Sequence, residues 1–198
     1  MSLAIFLLPK GDFALELFYW KERIKKELPN QPYTIHPPHM TLINIDVKTE
    51  NGGVAAVSSL SSSTHPIQIT VNKTGLFWDD IATGGHTLYF GIEKNDILSA
   101  LQKSLALALQ EVRQILPPPN YLKDNKQLLG SYDKYGFPFI GDHWIPHFSV
   151  SSLLTYKTHP IIEEFLAMPK QYHFTVNQIT LWRVEDDKHT LLETVYLK

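Results

Sequence analysis

A five-residue pattern that occurs twice constrains this chain more than any other feature of its sequence. Pro38-His39-Met40-Thr41-Leu42 reappears as Pro146-His147-Phe148-Ser149-Val150, 108 residues later. Such self-similarity is typical of a duplicated structural unit, here a strand, a helix and a β-hairpin. Two copies that share one face predict a pseudo-twofold groove, to which each copy contributes one motif. Two further matches keep the order and nearly the same offset: Thr70-Val71-Asn72 with Thr175-Val176-Asn177, and His86-Thr87-Leu88 with His189-Thr190-Leu191.

The single motif is short, so one occurrence alone carries little weight. With the nine histidines of this chain and its serines and threonines, about one His-x-Ser/Thr tripeptide is expected by chance. Three occur, at His39, His147 and His173. The third lacks the preceding proline and aligns with Gln68 of the first half, so we interpret His173 as a residue on a strand face. The repeat therefore selects His39 and His147 as the functional pair.

The composition predicts one globular domain. A chain of 198 residues with 43% hydrophobic content can bury a sizeable core. We expect residues 1–198 to form a single bilobal domain with its motifs at 38–42 and 146–150. The net charge of −2 argues against binding to a long nucleic-acid duplex. The absence of cysteine excludes disulfides, thiolate metal sites and a cysteine nucleophile.

The apolar stretch near the start of the sequence is too short to cross a membrane. Residues 3–9 fall far below the roughly 20 residues that a membrane-spanning helix needs. No cationic segment precedes them, as a signal peptide would require. We therefore expect a soluble, cytoplasmic monomer that binds no membrane.

Hydrophobic periodicity and turn residues predict both strands and helices. The turn at Gly84-Gly85 is expected to close one hairpin and the turn at 185–188 another. The predicted strands are 3–8, 39–47, 67–78, 86–93, 146–153, 172–184 and 190–197, and the predicted helices are 12–28, 50–63, 95–116 and 158–168.

Residues 117–143 show no clear period. A compact domain seldom leaves so long a segment without secondary structure. The segment is also too rich in apolar and aromatic side chains to be a free linker. We expect a central insertion that is either an ordered element or a functional lid.

The two motifs bring chemically useful groups together. On a β-strand residues i and i+2 point to the same face, so His39 lies beside Thr41 and His147 beside Ser149. Because imidazole has an unperturbed pKa near 6.5, one ring of such a pair can act as general base while the other acts as general acid. The hydroxyls would donate to the non-bridging oxygens of a phosphate. A strained 2′,3′-cyclic phosphate suits this arrangement and need not enlist a metal.

The paired motifs, the duplication and the chain length resemble the 2H phosphoesterase superfamily, which includes the bacterial 2′-5′ RNA ligase-like proteins and the cyclic phosphodiesterases. The resemblance is most marked for the plant and yeast type of cyclic phosphodiesterase. It rests on residues 74–78, 145–149 and 187–195, and it covers nearly the whole chain apart from 117–143. One difference is Ser151-Ser152, which stands where these phosphodiesterases tend to carry an aromatic residue soon after the second motif.

The resemblance implies an α+β fold of two pseudo-symmetric lobes, each an antiparallel sheet with helices on its outer face, around a central cleft. It implies metal-independent hydrolysis, without a cofactor, of 2′,3′-cyclic phosphates or of ADP-ribose 1″,2″-cyclic phosphate. The partner it implies is a small cyclic-phosphate nucleotide or an RNA terminus. The catalytic set it implies is His39, Thr41, His147 and Ser149.

Two alternatives to this function stay open at the level of the sequence. The same site could cleave or join 2′-5′ linked oligonucleotides. A member of a different class, a non-catalytic module, would bind a nucleotide or an RNA end without turning it over.

Several aromatic residues near the motifs are candidate substrate contacts. Phe77 and Trp78 end the strand that neighbours the first motif, where stacking on a base would contribute roughly 1–3 kcal/mol. Core packing explains that pair equally well. Trp144 and Tyr135 flank the second motif in sequence and are candidates to roof the groove.

The remaining polar candidates are interpreted as structural. His36 and His39 have a spacing that could hold zinc, but the two prolines between them fix an extended backbone and no third ligand is evident, so we expect no metal site. His86 and His143 are interpreted as hairpin or loop residues. Lys10 and Arg183 are interpreted as solvated surface charges rather than phosphate contacts.

Overall fold

The computed structural model describes residues 1–61, 64–168, 171–185 and 188–198. Short 3₁₀ turns occupy Asn120–Leu122 and Gly141–His143. The strands are β1 (Ser2–Leu7), β2 (Met40–Asp46), β3 (Ile67–Phe77), β4 (His86–Ile92), β5 (His147–Leu153), β6 (Tyr172–Val176), β7 (Gln178–Glu185) and β8 (Lys188–Tyr196). The helices are α1 (Gly11–Glu27), α2 (Glu50–Ser61), α3 (Asp96–Ala108), α4 (Lys126–Tyr135) and α5 (Pro160–Leu166).

The strands form two antiparallel sheets of four strands each. Their orders are β2-β1-β7-β8 and β5-β4-β3-β6. The motif strands β2 and β5 are edge strands, and the strands beside them, β1 and β4, are buried over almost their whole length. Burial on both faces explains why β1 is an almost continuous apolar run rather than an alternating one. The predicted α+β fold of two antiparallel sheets is confirmed.

Helix α1 follows β1 and buries one stripe of side chains. Phe13, Leu17 and Ile24 are at most 1% exposed, as their helical spacing predicts. Leu15 and Phe18, which share that spacing in part, are 69% and 51% exposed and face away from the core.

Helix α3 is shorter than its sequence pattern predicts. Asn95 caps its N-terminus by accepting a hydrogen bond from the Leu98 amide, but the helix ends at Ala108 rather than at residue 116. Beyond it, the backbone pairs with the end of β2: the Lys48 amide donates to Val112, and the Gln114 amide donates to Asp46. These long-range hydrogen bonds replace the helical ones, so the expected last two turns do not form.

The predicted strand 172–184 is two strands in different sheets. β6 pairs with β3, whereas β7 pairs with β1. The break falls at Asn177, whose carbonyl accepts from the Leu197 amide and whose side chain accepts from Lys10 Nζ. β7 and β8 form the second predicted hairpin. Asp186 and Asp187 of its turn lie outside the described residues.

The structure contains a duplicated unit, but of the three sequence matches only the first, between residues 38–42 and 146–150, joins strands in equivalent positions of the two sheets. β1-α1-β2 corresponds to β4-α3-β5, because in each sheet the motif strand is an edge and pairs with the strand before its helix. The second match joins β3 and β6, which are neighbours in one sheet. The third joins β4, an inner strand, with β8, an edge strand. Each sheet takes strands from both halves of the chain, which short tripeptide matches do not reveal.

A β-bulge follows the hydroxyl residue of both motifs. The register of β2 against β1 skips Leu42. The register of β5 against β4 skips Val150, the equivalent residue of the second motif. Bulges re-aim the side chains beside them, and here they do so at the same place in both lobes.

The central segment 117–143 is built of short ordered elements. Leu122 and Ile140 are buried. Helix α4 begins at the cap Asn125, whose side chain accepts from the Leu128 amide, and ends at Gly136 in the left-handed conformation with φ +74°. In the described parts of the chain, no helix combines the length and the apolarity needed to traverse a bilayer.

Candidate active site

A cleft of about 600 Å³ is lined by residues of both sheets. A second groove, of about 630 Å³, lies on the surface beside α1 and α5 and contains no motif residue. The four motif side chains that the sequence selects all line the first cleft: His39, Thr41, His147 and Ser149.

His39 precedes β2 and is held by its own backbone. Its Nδ1 lies 2.6 Å from the carbonyl oxygen of Pro37, and its ring stacks on Phe6 at a centroid distance of 3.8 Å. A carbonyl can only accept, so Nδ1 carries the proton and Nε2 is the nitrogen left to act as a base.

His147 begins β5 and repeats this arrangement. Its Nδ1 lies 2.6 Å from the carbonyl oxygen of Ile145, again two residues upstream. Phe77 and Tyr89 contact the ring edge-on, with centroids 5.0 and 5.2 Å away. Both motifs therefore fix the same ring nitrogen and leave Nε2 for a ligand in the cleft.

The environment of His39 disfavours a second proton. Its pKa is lowered to about 3, chiefly by burial and also by the charges of His189, Lys21 and His36, while the Pro37 carbonyl opposes the shift. A neutral imidazole at neutral pH is a proton acceptor, as a general base must be.

The environment of His147 differs in one respect. Burial also lowers its pKa, but the Ile145 carbonyl and the Asp80 carboxylate both act to raise it. Asp80 lines the cleft and is held by the Thr87 hydroxyl at 2.6 Å and the Ala82 amide at 3.0 Å. Although the two histidines are equivalent by symmetry, nearby charges act to lower the pKa of His39 and to raise that of His147.

Asp80 is a cleft residue that the sequence analysis missed. It comes three residues after the end of β3, in a turn where an aspartate is a common residue. Its position directly behind a predicted strand end is the one signal that points to it.

Lys21 is a second residue that the sequence analysis missed. It is 4% exposed and lines the cleft. Its Nζ donates to the carbonyl of Tyr33 at 2.5 Å and to the carbonyl of the bulge residue Val150 at 2.9 Å. Lys21 thus joins the segment before the first motif to the strand of the second motif. The signal in the sequence is a charged residue at a buried position of α1, four residues after Leu17.

Gln102 occupies the symmetric position on α3. Its Nε2 donates to the carbonyl of the other bulge residue, Leu42, at 3.1 Å and to Phe139 in the segment before the second motif at 2.8 Å. Gln102 is fully buried and does not line the cleft. Each bulge carbonyl is therefore satisfied by a buried donor from the other half of the molecule.

Two further imidazoles lie beside His39. The ring centroid of His189 on β8 is 5.6 Å from that of His39 and 4.5 Å from that of His36. His189 belongs to a segment of the family resemblance, but the sequence did not place it in the cleft. Among the described residues, no three His, Asp or Glu side chains are arranged to hold a metal ion.

Two of the four predicted substrate contacts line the cleft. Phe77 stacks on Tyr89 beside His147. Trp144 lines the cleft and donates its indole N–H to the carbonyl of Thr41 at 3.2 Å, which joins the approach to the second motif to the first motif strand.

The other two predicted contacts, Trp78 and Tyr135, are not among the residues that line the cleft. Trp78 lies outside the cleft lining, where its ring packs on His86 and beneath the Lys157 ammonium. Tyr135 also lies outside it, because it ends α4 and packs against the core with Lys134 over its ring. The strand end at Phe77 turns away before Trp78, which sequence adjacency does not show.

The central segment forms one wall of the cleft. An aromatic and apolar surface faces the cavity there, made by Tyr121, Phe137, Phe139, His143 and Ile145. Ser151 and Ser152, at the position of the family's aromatic residue, are buried and instead hold neighbouring loops: Ser151 donates to Pro32 at 3.0 Å, and the Ser152 hydroxyl lies 2.5 Å from that of Thr83.

Lys10, Arg183 and His173 lie away from the cleft lining, whereas His36 and His143, interpreted from the sequence as structural, are part of it. Lys10 is bonded to Asn177, and Arg183 pairs with Glu50 at 3.2 Å. His173 lies on β6, where its Nδ1 meets the Thr70 hydroxyl, as its interpretation as a strand-face residue predicts.

The fold is shared with solved structures of low sequence identity. TT0787 of Thermus thermophilus superposes with a TM-score of 0.67 at 16% identity, over 100% of this chain and 98% of that chain. E. coli LigT complexed with 3′-AMP gives a TM-score of 0.58 at 13% identity, over 99% and 97%. LigT in its apo form gives 0.55 at 12%, over 99% and 96%. At these identities the likeness shows the fold alone, and no curated protein sequence matches the chain.

A family model, that of the 2′-5′ RNA ligase superfamily, matches residues 13–188. The match spans most of the chain and includes both motifs, so the predicted resemblance is confirmed. The chain belongs to the 2′-5′ RNA ligase superfamily of 2H phosphoesterases.

Proposed function

We propose that this phosphoesterase hydrolyses the 2′,3′-cyclic phosphate of a small nucleotide or of an RNA end, without a metal. One observation carries the proposal: His39 and His147 line one cleft, and each has its Nδ1 fixed 2.6 Å from the carbonyl oxygen two residues upstream. Both imidazoles therefore offer Nε2 to a group bound between the motifs. A pair of positioned ring nitrogens is what in-line attack on phosphorus requires of an acid and a base.

We assign the base role to His39. Its low pKa keeps it neutral, and the neighbouring cations oppose its protonation. In the proposed step Nε2 of His39 accepts a proton from the attacking water as the water oxygen forms a bond to phosphorus.

We assign the acid role to His147. A bound phosphate diester is an anion, which raises the pKa of a nearby imidazole, and the Asp80 carboxylate adds to that rise at His147 alone. His147 Nε2–H then donates its proton to the ribose oxygen as the phosphorus–oxygen bond of the ring breaks. One water is consumed, and the product is a nucleoside phosphomonoester.

Thr41 and Ser149 complete the proposed site. Both line the cleft, two residues after their histidines. Their hydroxyls would donate to the non-bridging oxygens, where negative charge accumulates in the transition state. Removing one such donor typically costs about 10²–10³ in kcat.

The size and lining of the cleft support a small nucleotide or a chain end as substrate. About 600 Å³ is within the range of cavities that hold small molecules, and Phe77 and the wall of the central segment offer surfaces on which a base could stack. LigT, of the same fold, has been crystallised with 3′-AMP, with phosphate and with NADP⁺. These ligands share a phosphate group and a nucleotide-scale size, which supports the same class for this chain.

A substrate panel tests the proposal. We expect the protein to open 2′,3′-cyclic AMP and the cyclic phosphate at the end of an RNA oligonucleotide, at a rate that EDTA does not change. Chromatography of the reaction with these substrates and with a 2′-5′ linked adenosine dimer gives the products directly.

The outcomes of the panel separate the competing functions. Turnover of the 2′-5′ dimer alone would replace the proposal with a 2′-5′ phosphodiesterase or ligase. Tight binding of every ligand, with unaltered ligand recovered after long incubation, would replace it with a non-catalytic binding module.

A further inference from the structure

Several histidines line the cleft, together with one side chain that is largely charged at pH 7, that of Lys21. Lys21 is the single lysine or arginine among the described residues that line it. The other basic side chains that the sequence offered, Lys10 and Arg183, are bonded to Asn177 and to Glu50 outside the lining. A phosphate bound at the motifs would therefore meet its nearest ammonium at Lys21.

The fold itself does not require a charge at this position. Lys21 and Gln102 occupy equivalent places on α1 and α3. Lys21 donates to the carbonyls of Val150, the bulge residue of the second motif strand, and of Tyr33, before the first motif. Gln102 donates to the carbonyls of Leu42, the bulge residue of the first motif strand, and of Phe139, before the second motif. The amide of Gln102 meets that structural need without a charge. The ammonium of Lys21 meets it as well and adds a positive charge to the lining of the cleft.

The charge of Lys21 has no counter-ion in the described part of the chain. Its Nζ donates to two carbonyls, and no carboxylate there lies within ion-pair distance of it. A buried ammonium that is not paired with an anion is costly. It carries three N–H donors, so one remains for an acceptor in the cleft.

We infer that Lys21 binds the phosphate of the ligand through this third N–H and supplies a positive charge on the side of His39, the motif histidine that stays neutral. The inference rests on the proposed function insofar as it takes a phosphate to bind between the motifs. The ammonium would lie on the His39 side of the phosphorus, so it would also oppose protonation of the base.

The structure predicts how this contact depends on pH. Burial lowers the pKa of Lys21 to about 8, so the ammonium is largely charged at pH 7 and loses its proton as the pH rises through that value. The other titratable groups on this side of the cleft are His36, His39, His189 and Tyr33. The pKa of His39 is lowered to about 3, and unperturbed imidazoles and tyrosines titrate near 6.5 and 10, so a change centred near pH 8 is assigned to Lys21.

The decisive variant copies the symmetric half of the molecule. Lys21→Gln keeps an amide donor for the two carbonyls, as Gln102 does, and removes the charge. Calorimetry with 3′-AMP, inorganic phosphate and adenosine measures binding without relying on turnover. Lys10→Gln, the same change at a lysine outside the cleft lining, is the matched control.

We expect Lys21→Gln to weaken binding of 3′-AMP and of phosphate by about tenfold or more, because a charge-assisted hydrogen bond is lost. Adenosine, which has no phosphate, should bind as it does to the wild type. Between pH 7 and 9, where the phosphate of 3′-AMP, with its second pKa near 6, is about nine-tenths or more doubly ionised, the wild-type affinity should fall and that of Lys21→Gln should stay nearly level.

Unchanged phosphate affinity in Lys21→Gln, or an equal loss for adenosine, would overturn the inference. Lys21→Arg guards against a folding defect, since it retains the charge and should retain most of the phosphate affinity; equal losses in Lys21→Arg and Lys21→Gln would also count against the inference. If the wild type hydrolyses no cyclic phosphate yet shows this Lys21-dependent binding, the proposed function fails and the inference stands.

Discussion

Two identical imidazoles acquire different character here through their neighbours. His39 and His147 share the same Nδ1 hydrogen bond, so local geometry does not distinguish them. The distinction comes from the side chains around them: cations near His39 and the Asp80 carboxylate near His147. Symmetry of fold thus coexists with asymmetry of charge, which a reaction with separate acid and base steps needs.

The acid assignment predicts how Asp80→Asn changes the pH profile. Activity requires a protonated His147, so the alkaline limb of the kcat profile reports its pKa in the complex. Removing the carboxylate lowers that pKa, and the alkaline limb should move to lower pH by roughly 0.5–1 unit. The acidic limb, set by His39, should stay in place. Hydrolysis of 2′,3′-cyclic AMP across the pH range measures both limbs.

The neighbouring residue provides the control for this experiment. Asp79→Asn makes the same chemical change one position earlier, at a carboxylate that pairs with Lys157 at 2.5 Å outside the cleft lining. It should leave both limbs unchanged. A shift of the acidic limb in Asp80→Asn would reverse the roles of the two histidines.

At the residue scale the sequence predicts the motif side chains and misses their partners. His39, Thr41, His147 and Ser149 are recognisable because they recur at a fixed spacing. Lys21 and Asp80 occur once each and reach the cleft from elements distant in sequence. Their roles depend on what they face, and no local pattern records that.

At the scale of elements, the bulged edge strands are the feature that shapes the site. Each bulge leaves a carbonyl that the strand ladder does not satisfy. Lys21 and Gln102 satisfy them from the helices of the opposite half. The two lobes are thereby joined by buried hydrogen bonds at the level of the motifs, where accurate placement matters most.

This arrangement predicts a large effect of Gln102→Leu on stability. The substitution leaves one buried backbone group, the Leu42 carbonyl, and two partly buried ones, the Phe139 carbonyl and the Gly141 amide, without their partner. An unpaired buried polar group costs about 1–3 kcal/mol, so the free energy of unfolding should fall by roughly 2–4 kcal/mol. Urea denaturation measures it.

Gln127→Leu makes the same change at an exposed position of α4 and controls for side-chain chemistry. Its unfolding free energy should stay within about 0.5 kcal/mol of the wild type. A Gln102→Leu protein as stable as Gln127→Leu would show that the bulge carbonyls find other partners.

The elements themselves are largely predictable, and the exceptions have one cause. β1, α1 and β5 lie close to their predicted bounds because their apolar patterns match the faces they bury. α3 ends early and the segment 172–184 divides into two strands because long-range pairing, with the end of β2 and with two different sheets, overrides local pattern. Periodicity carries no information about such partners.

At the scale of the whole molecule, the chain crosses between its two sheets. β3 and β4 of the first half join β5, and β7 returns to pair with β1, with β8 beyond it at the edge of that sheet. This exchange makes the two motif strands neighbours across one cleft, and the central segment then closes one side of it. The paired motifs predict a shared groove from sequence, but its walls depend on this exchange and were not predictable.

The central claim is that His39 and His147 act on one phosphorus atom as a unit. The most direct test compares the single-turnover hydrolysis of 2′,3′-cyclic AMP by His39→Ala, His147→Ala and the double variant. His173→Ala, at the third His-x-Ser/Thr site and outside the cleft lining, is the control. Each single variant should lose about 10²–10⁴-fold in rate. The double variant should lose little more than the single variant with the larger loss. His173→Ala should match the wild type. A rate within a few-fold of the wild type in either motif variant, or losses that simply multiply in the double variant, would contradict the claim.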